Sequence, residues 1–471
     1  MGFRHIMNMF QSYVVPCTIV CVVVALIALI AYYVIYKMLF HGQKKLNTGK
    51  IVSFFILLTY VGMVLYLTLV ARGPMGYTEH NKVAFLESYK DAWVSFSYRS
   101  WYLLILNILM FVPIGFLLPI AWNKCQRFWI TYLLGILFTV FIEVTQFVTG
   151  RGIFEEDDIL NNALGCMIGY GFWKIADTGI ARIRKIKKPE QAIRNVLLPQ
   201  VPLLITSAVF GTMVIVYQSK ELGNMSIQCI KTVDMENVLV DTEMTFSTEE
   251  LKAYAYKAKT GSKEDTLLVA KQIMETDGVN PDSKKTKVYG ETVVYEDSNN
   301  QYNCWVDYCG LTYHYQKFDY MESDGVEGLQ ASDISKLLQP YHIVIPETAE
   351  FQELGNGIYQ YRLNMEPVGE EMVTGTLNCT IVEGNIVSSI SNQLMTLKKY
   401  KEFSLISEKE AYQKVINGKF RCYEPDMLQS ITIKDVELTY MKDSKNFYQP
   451  VYEFTTVVNG EGNSLIIPAV K

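Results

Sequence analysis

Six long apolar runs crowd into the first 218 residues: Tyr13–Leu39, Ile51–Ala71, Trp101–Trp122, Phe128–Thr149, Ile159–Ile175 and Val196–Tyr217. A helix that crosses a bilayer needs about 20 predominantly apolar residues. Hydrocarbon offers the backbone no hydrogen-bond partner but itself, so such runs fold as helices. The spacing predicts an α-helical polytopic membrane bundle of about six spans. The fifth run is short and polar at its start. The first continues into YYVIYK with no small-residue cleavage site, so it is expected to stay as an anchor.

Residues 219–471 change character and become rich in Tyr, Thr, Asp, Glu and Lys. The expected division is an N-terminal anchor (1–45), a membrane domain (46–177), a basic loop with the last helix (178–218) and an α+β domain (219–471). The net charge of -5 averages over two unlike halves. No large basic face appears outside one short loop, which excludes nucleic acid as the expected partner. Orientation follows from loop Lys and Arg. Lys44, Lys45 and Lys50, then Lys124 and Arg127, then Arg182, Arg184, Lys185, Lys187, Lys188 and Arg194 mark alternate loops as cytoplasmic. Loops 72–100 and 150–158 then face outward, as do both termini. A multi-pass protein of the cell membrane with an extracytoplasmic C-terminal domain is expected.

The stretch GRGIFEEDDILNNALG, residues 150–165, puts Arg151, four acids and two asparagines between two apolar runs. At about 1.5 Å per helical residue, Asn107 lies roughly 9 Å inside the third span, at the depth of Glu143 in the fourth. Gln146, Arg151, Asp157, Asp158 and Asn162 fall near the same level, in the outer leaflet or its headgroup boundary. An ionisable residue within a span usually faces a bundle interior or a watery cavity and has a partner. Arg151 is the partner expected for Glu143. The seven residues are the candidate ligand-binding set; a purely structural pair that fixes helix order is the competing reading. Asn107, Phe111 and Gly115 share one helical stripe, with a kink expected at Pro113. Gly165 and Gly169 form a small-xxx-small surface for close helix approach. Asp157 and Asp158 open the fifth span, where a carboxylate can cap free N–H groups. Capping accounts for one of them and leaves the other acids open. The acidic run lacks the alternation of a calcium loop, so no metal or cofactor is assigned. No activated nucleophile is near.

At these residues the sequence resembles the VanZ-like family of bacterial membrane proteins. The likeness runs through NILMFVPIGFLLP (107–119), FTVFIEVTQFVTGR (138–151) and EEDDILNNALGCMIGY (155–170). The family's recurrent residues fall on Asn107, Phe111, Pro113, Gly115, Glu143, Gln146, Arg151, Asp157, Asp158, Asn162, Gly165 and Gly169. A frequent serine is Thr139 here, and a frequent aspartate is Glu155. The resemblance implies a role at the cell envelope; the founding member contributes to resistance to the glycopeptide antibiotic teicoplanin.

The C-terminal domain is expected to be α+β, with two similar lobes as one reading. Capping boxes at Ser247/Glu250 and Ser407/Glu410 open two expected helices. Period-two or β-branched segments such as TLNCTIVEGNIVSSISN predict antiparallel strands, and ITIKDVELTYM with the segment from Pro450 predicts a closing hairpin. About the last 70 residues resemble YycI/PepSY-type domains, at the short end for one domain. Five cysteines, Cys229, Cys304, Cys309, Cys379 and Cys422, leave at least one unpaired. His314 and His342 are read as satisfied strand or surface residues, and the tyrosine-rich strands as β core.

The leading expectation is a VanZ-like membrane protein acting at the outer leaflet. It would bind membrane lipid, a lipid-linked or amphipathic envelope precursor, or a glycopeptide. The C-terminal domain would engage an envelope protein. An enzyme acting on envelope lipid precursors and a membrane-anchored sensor or regulator are the alternatives.

Overall fold

The computed structural model describes residues 48–71, 82–83, 85–152, 154–184, 196–368, 371–422 and 424–471. The chain divides after Glu221 into a membrane unit and a C-terminal unit. The expected first span, Tyr13–Leu39, and most of the basic loops lie outside the described residues.

The membrane unit begins with α1 (Thr48–Leu65), which runs into a π-helical turn, Tyr66–Val70. Then come β1 (Lys82–Val83), α2 (Glu87–Ser95), α3 (Tyr98–Ala121), α4 (Phe128–Thr149), β2 (Phe154–Glu155), α5 (Glu156–Ile183) and α6 (Val201–Ser219). Four helices among the described residues are long and apolar enough to cross a membrane: Val52–Val70, Arg99–Ala121, Phe128–Thr149 and Leu198–Ser219. The expected Ile159–Ile175 span is not one of them. It lies within α5, whose first turn carries Glu156, Asp157 and Asp158. Helices α3 and α4 and the start of α6 pack around α5, so its polar groups meet protein rather than lipid.

Helix α4 is built inside out. Thr131, Gly135, Thr139, Glu143 and Gln146 are buried, while Leu133, Leu137, Phe141, Val144 and Val148 are exposed. A bilayer requires this arrangement, because lipid tails solvate the apolar face and polar groups must find partners within the bundle. Helices α3 and α5 meet backbone to backbone. A Cβ on Gly115 would sit 1.9 Å from the Cys166 carbonyl oxygen, one on Gly165 1.9 Å from that of Ile108, and one on Gly169 2.0 Å from that of Val112. Helix α3 continues unbroken through Pro113 and Pro119. Pro113 has no N–H to give the Leu109 carbonyl, a local loss that the helix tolerates inside the bundle.

The C-terminal unit contains β3 (Leu239–Thr242), β4 (Lys252–Ala258), α7 (Lys263–Glu275), β5 (Lys287–Tyr289), β6 (Thr292–Glu296), β7 (Tyr302–Asp307), β8 (Tyr313–Lys317) and α8 (Ala331–Leu338). It continues with β9 (Glu350–Gly355), β10 (Ile358–Val368), β11 (Glu371–Val382), β12 (Ile386–Asn392), β13 (Met395–Ser404), α9 (Glu408–Ile416), β14 (Ser430–Lys442), β15 (Phe447–Val458) and β16 (Glu461–Pro468). All fourteen strands join one sheet, whose main path runs β3-β14-β15-β4-β13-β11-β12-β8-β7-β6-β5. Two cores form on it. One packs α7 and α8 around Tyr295, Tyr315, Ile334 and Tyr359; the other packs α9 around Ile431, Tyr452, Phe454 and Ile467. The tyrosines thus serve largely as core.

Each core repeats a strand, a capped helix and antiparallel strands. Ser407 caps α9 with Glu410 as expected, but the other box is Ser262 with Asp265 on α7. The helix expected at Ser247 does not form, and 243–250 is irregular. The segment that follows, KAYAYKA, alternates with period two and becomes β4, which overrides the local capping signal. Ser247 N–H donates instead to Glu408 at 2.9 Å. The closing hairpin is a three-stranded meander, β14-β15-β16, turned at Asn459-Gly460 with both residues at positive φ.

All five cysteines of this unit are free thiols. Burial pushes the Cys379 thiol up to about 12 and raises that of Cys304 as well. A thiol reagent added to native protein should modify half-buried Cys229 and Cys422 well before Cys304 and Cys379, read residue by residue by mass spectrometry. Equal rates at all four would contradict this packing.

Candidate functional site

The start of α5 organises the polar layer of the membrane unit. Its DD-x-x-NN pattern makes two parallel pairs at i,i+4 spacing, Asp157 with Asn161 and Asp158 with Asn162. The two pairs face different neighbours. Asp157, fully buried, accepts the backbone N–H groups of Leu86 at 2.6 Å and Ser88 at 3.0 Å. It thereby caps α2 from another helix, with its charge at the positive end of the helix dipole. Leu86 is held in the left-handed region, at φ 64°, by this contact. Asn161 accepts from the Tyr89 hydroxyl of the same short helix.

The second pair faces the bundle. Asp158 accepts from the Asn107 side-chain amide of α3. Asn162 donates to the Thr139 hydroxyl of α4 at 2.9 Å. Glu143, one turn along α4 from Thr139 and 1% exposed, accepts the backbone N–H of Glu155 at 3.2 Å. It therefore stands at the N-terminus of α5, where the free N–H groups and the dipole favour a carboxylate. The Glu155 side chain accepts from the Ser88 hydroxyl at 3.3 Å. Gln146 and Arg151 close the layer on the α1 side. Gln146 donates to the Thr68 carbonyl at 3.0 Å and Arg151 to the Leu69 carbonyl at 3.1 Å. Both carbonyls belong to the π-turn, whose helix end leaves oxygens in need of donors. The expected Glu143–Arg151 pair is not among the ion pairs of the described residues; Arg151 serves a helix end instead.

Among the described residues of this layer, two buried atoms lack a hydrogen-bond partner, Asn161 Nδ2, a donor, and Asn162 Oδ1, an acceptor; Trp101 Nε1 and Thr178 Oγ1 elsewhere in the membrane unit also lack one. Asn161 is fully buried and Asn162 is 2% exposed. An unmade hydrogen bond at a buried amide costs about 1–3 kcal/mol, so such groups usually have an occupant to satisfy them. Among the described residues no group of three His, Cys, Asp or Glu side chains is placed to hold a metal.

The structure brings all seven sequence-predicted ligand residues into one layer, with Gly115, Gly165 and Gly169 in the α3–α5 contact just along the helices. Ser88, Tyr89, Asn161 and the π-turn were missed. The doubled i,i+4 spacing could have revealed Asn161, whereas no local signal marks Ser88 or Tyr89. The fourth acid, Glu156, is exposed.

A bundle of apolar helices that buries carboxylates and amides near its helix ends is an integral membrane domain with a polar centre. Residues 22–177 match the family model described as VanZ/LLP1, so this part of the chain is similar to that family. The match begins ahead of the motif-bearing helices. The solved structure of the Bacillus megaterium YpeB C-terminal domain is similar over 45% of this chain and 95% of that one, with 13% identity and a TM-score of 0.23. No curated protein matches the chain.

Proposed function

We propose that the membrane unit holds a lipid-linked or amphipathic envelope molecule in the layer formed by Asn107, Glu143, Asp158, Asn161 and Asn162, on the outer side of the membrane. The observation that carries this reading is a buried donor on Asn161 and a buried acceptor on Asn162, neither answered by the described protein groups. A headgroup amide or hydroxyl carries both a donor and an acceptor and so can answer either atom, whereas an ionised phosphate only accepts and answers Asn161 alone. Asp157, Gln146 and Arg151 brace the layer by holding α2 and the π-turn.

The aromatic residues around the layer support an interfacial depth. Phe96 stacks on Tyr217 with ring centroids 3.3 Å apart, Trp101 meets Phe210 at 5.7 Å, and Lys220 lies over Trp93 at 5.0 Å. Tryptophan, tyrosine and lysine concentrate at the boundary between lipid and water. These contacts set the end of α6 beside the start of α3, which supports exit of the chain on the same side as the polar layer. With the expected orientation, that side is extracytoplasmic.

The link to glycopeptides is tested in cells lacking the chain, by the teicoplanin concentration that stops growth. The reading expects that concentration to fall, with recovery by the wild type and none by Glu143→Gln or Asp158→Asn protein of equal abundance. Unchanged sensitivity in the deletion strain would remove the glycopeptide from this reading.

A further inference from the structure

The two cores of the C-terminal unit are joined by β4 and β13, and this seam concentrates positive charge. Lys398 on β13 pairs directly with Lys257 on β4. Like charges directly opposite on neighbouring strands repel one another. Lys401 follows on the same face of β13 beyond a register shift, while Lys399 points to the opposite face; all four lysines are exposed. The negative charges within these strands and their neighbour β11 are few: Glu402, and Glu371, which lies 3.6 Å from Lys398 with both side chains largely in solvent. An exposed pair of that kind offsets little charge.

Aromatic rings are interleaved with the lysines. Lys257 lies over Phe447 at 4.8 Å and Lys401 over Phe403 at 5.4 Å. The Tyr400 ring is 4.7 Å from that of Phe447. Tyr400 is 44% exposed. Ammonium groups on apolar stems beside an exposed tyrosine suit a boundary at which the stems lie against lipid and the charges meet phosphate.

We propose that the β4–β13 seam docks on a bilayer surface bearing anionic phospholipid headgroups. Charge complementarity selects the occupant. The like-charged Lys257/Lys398 pair is unfavourable in water and becomes favourable against a layer of phosphates. The unit follows α6, a helix apolar enough to span a membrane. Tethering makes the encounter intramolecular, so a few lysines suffice.

The test uses the full chain in lipid nanodiscs, of phosphatidylcholine alone or of phosphatidylcholine and phosphatidylglycerol in equal parts. A water-soluble amine-reactive ester labels exposed lysines, and mass spectrometry reads each site. Labelling of Lys257, Lys398 and Lys401 is expected to fall at least about fivefold in the anionic discs and to recover in high salt, while Lys399 on the opposite face labels equally in both. Lys336 on α8 should label equally in both. In Lys398→Ala protein of unchanged melting temperature, protection of Lys257 should weaken by about fivefold, the share of one lysine near an anionic surface. Equal labelling of the seam in both discs would overturn the proposal. So would protection produced in neutral discs by soluble polyphosphate and absent from anionic discs, which would make the seam a site for a soluble anion.

Discussion

Gly165→Ala should be among the most damaging single-methyl changes in the membrane unit. The new Cβ would lie 1.9 Å from the Ile108 carbonyl oxygen and 3.1 Å from the Phe111 Cβ. The first of these is backbone inside α3 and cannot rotate away. The two helices must part, and with them the Asn107–Asp158 contact one to two turns along. Overpacking of a tight core costs about 1–3 kcal/mol, more where the obstacle is rigid. The expected result is a large fall in thermal stability in detergent, or failure to accumulate. Gly179→Ala, on the same helix with nothing within 4 Å of its Cβ, is the control. It should be neutral or stabilising by up to about 1 kcal/mol through helix propensity. Equal behaviour of the two variants would mean that the α3–α5 contact is not as close as described.

Asp277→Ala should do comparable harm to the C-terminal unit. Asp277 sits beneath the first core and is held by three groups. Lys317 Nζ lies 2.5 Å from Oδ1, the Tyr315 hydroxyl donates to Oδ2 at 2.8 Å, and the Tyr341 hydroxyl donates at 3.1 Å. Lys317 is 5% exposed and also donates to the Tyr341 hydroxyl at 3.0 Å. Removing the aspartate leaves a buried ammonium without its counter-charge, a loss of about 3–5 kcal/mol. The unfolding midpoint of this unit should fall by roughly 10 °C. Adding Lys317→Met should recover part of the loss, because the double variant strands no charge. A double variant as unstable as the sum of the two single changes would refute the coupling. The same carboxylate raises the pKa of Tyr315 and Tyr341, second only to burial, so both hydroxyls stay protonated and keep donating at neutral pH.

The sequence was most legible where physics acts locally or periodically. Apolar runs marked four of the six expected spans among the described residues, because hydrocarbon imposes length and composition. The i,i+4 spacing of glycines and of Asp158 with Asn162 marked faces, because a helix has only one geometry. Partner choice was not legible in the same way. Glu143 and Arg151 attract each other on paper, yet each satisfies a helix end, Glu143 that of α5 and Arg151 that of the π-turn. Free backbone groups at helix ends compete with side-chain charges for partners, and their position depends on how three helices dock. Asp157 found its role in the same manner, since it caps α2 rather than its own helix. In the C-terminal unit, the Ser247 box lost to the alternation that follows it, while Ser262 escaped notice because Asp265 stands where glutamate was sought.

The central claim is that the polar layer of the membrane unit holds a ligand and is more than a brace. Native mass spectrometry of detergent-purified protein, wild type beside Glu143→Gln, tests it most directly. Glutamine keeps the shape and an oxygen to accept the Glu155 N–H, so the fold should survive while the charge is lost. The account predicts a lipid or envelope precursor bound to the wild type and lost from the variant at similar melting temperature. Equal retention of lipid by both, with a lower melting temperature in the variant, would contradict it and make Glu143 a structural cap for α5.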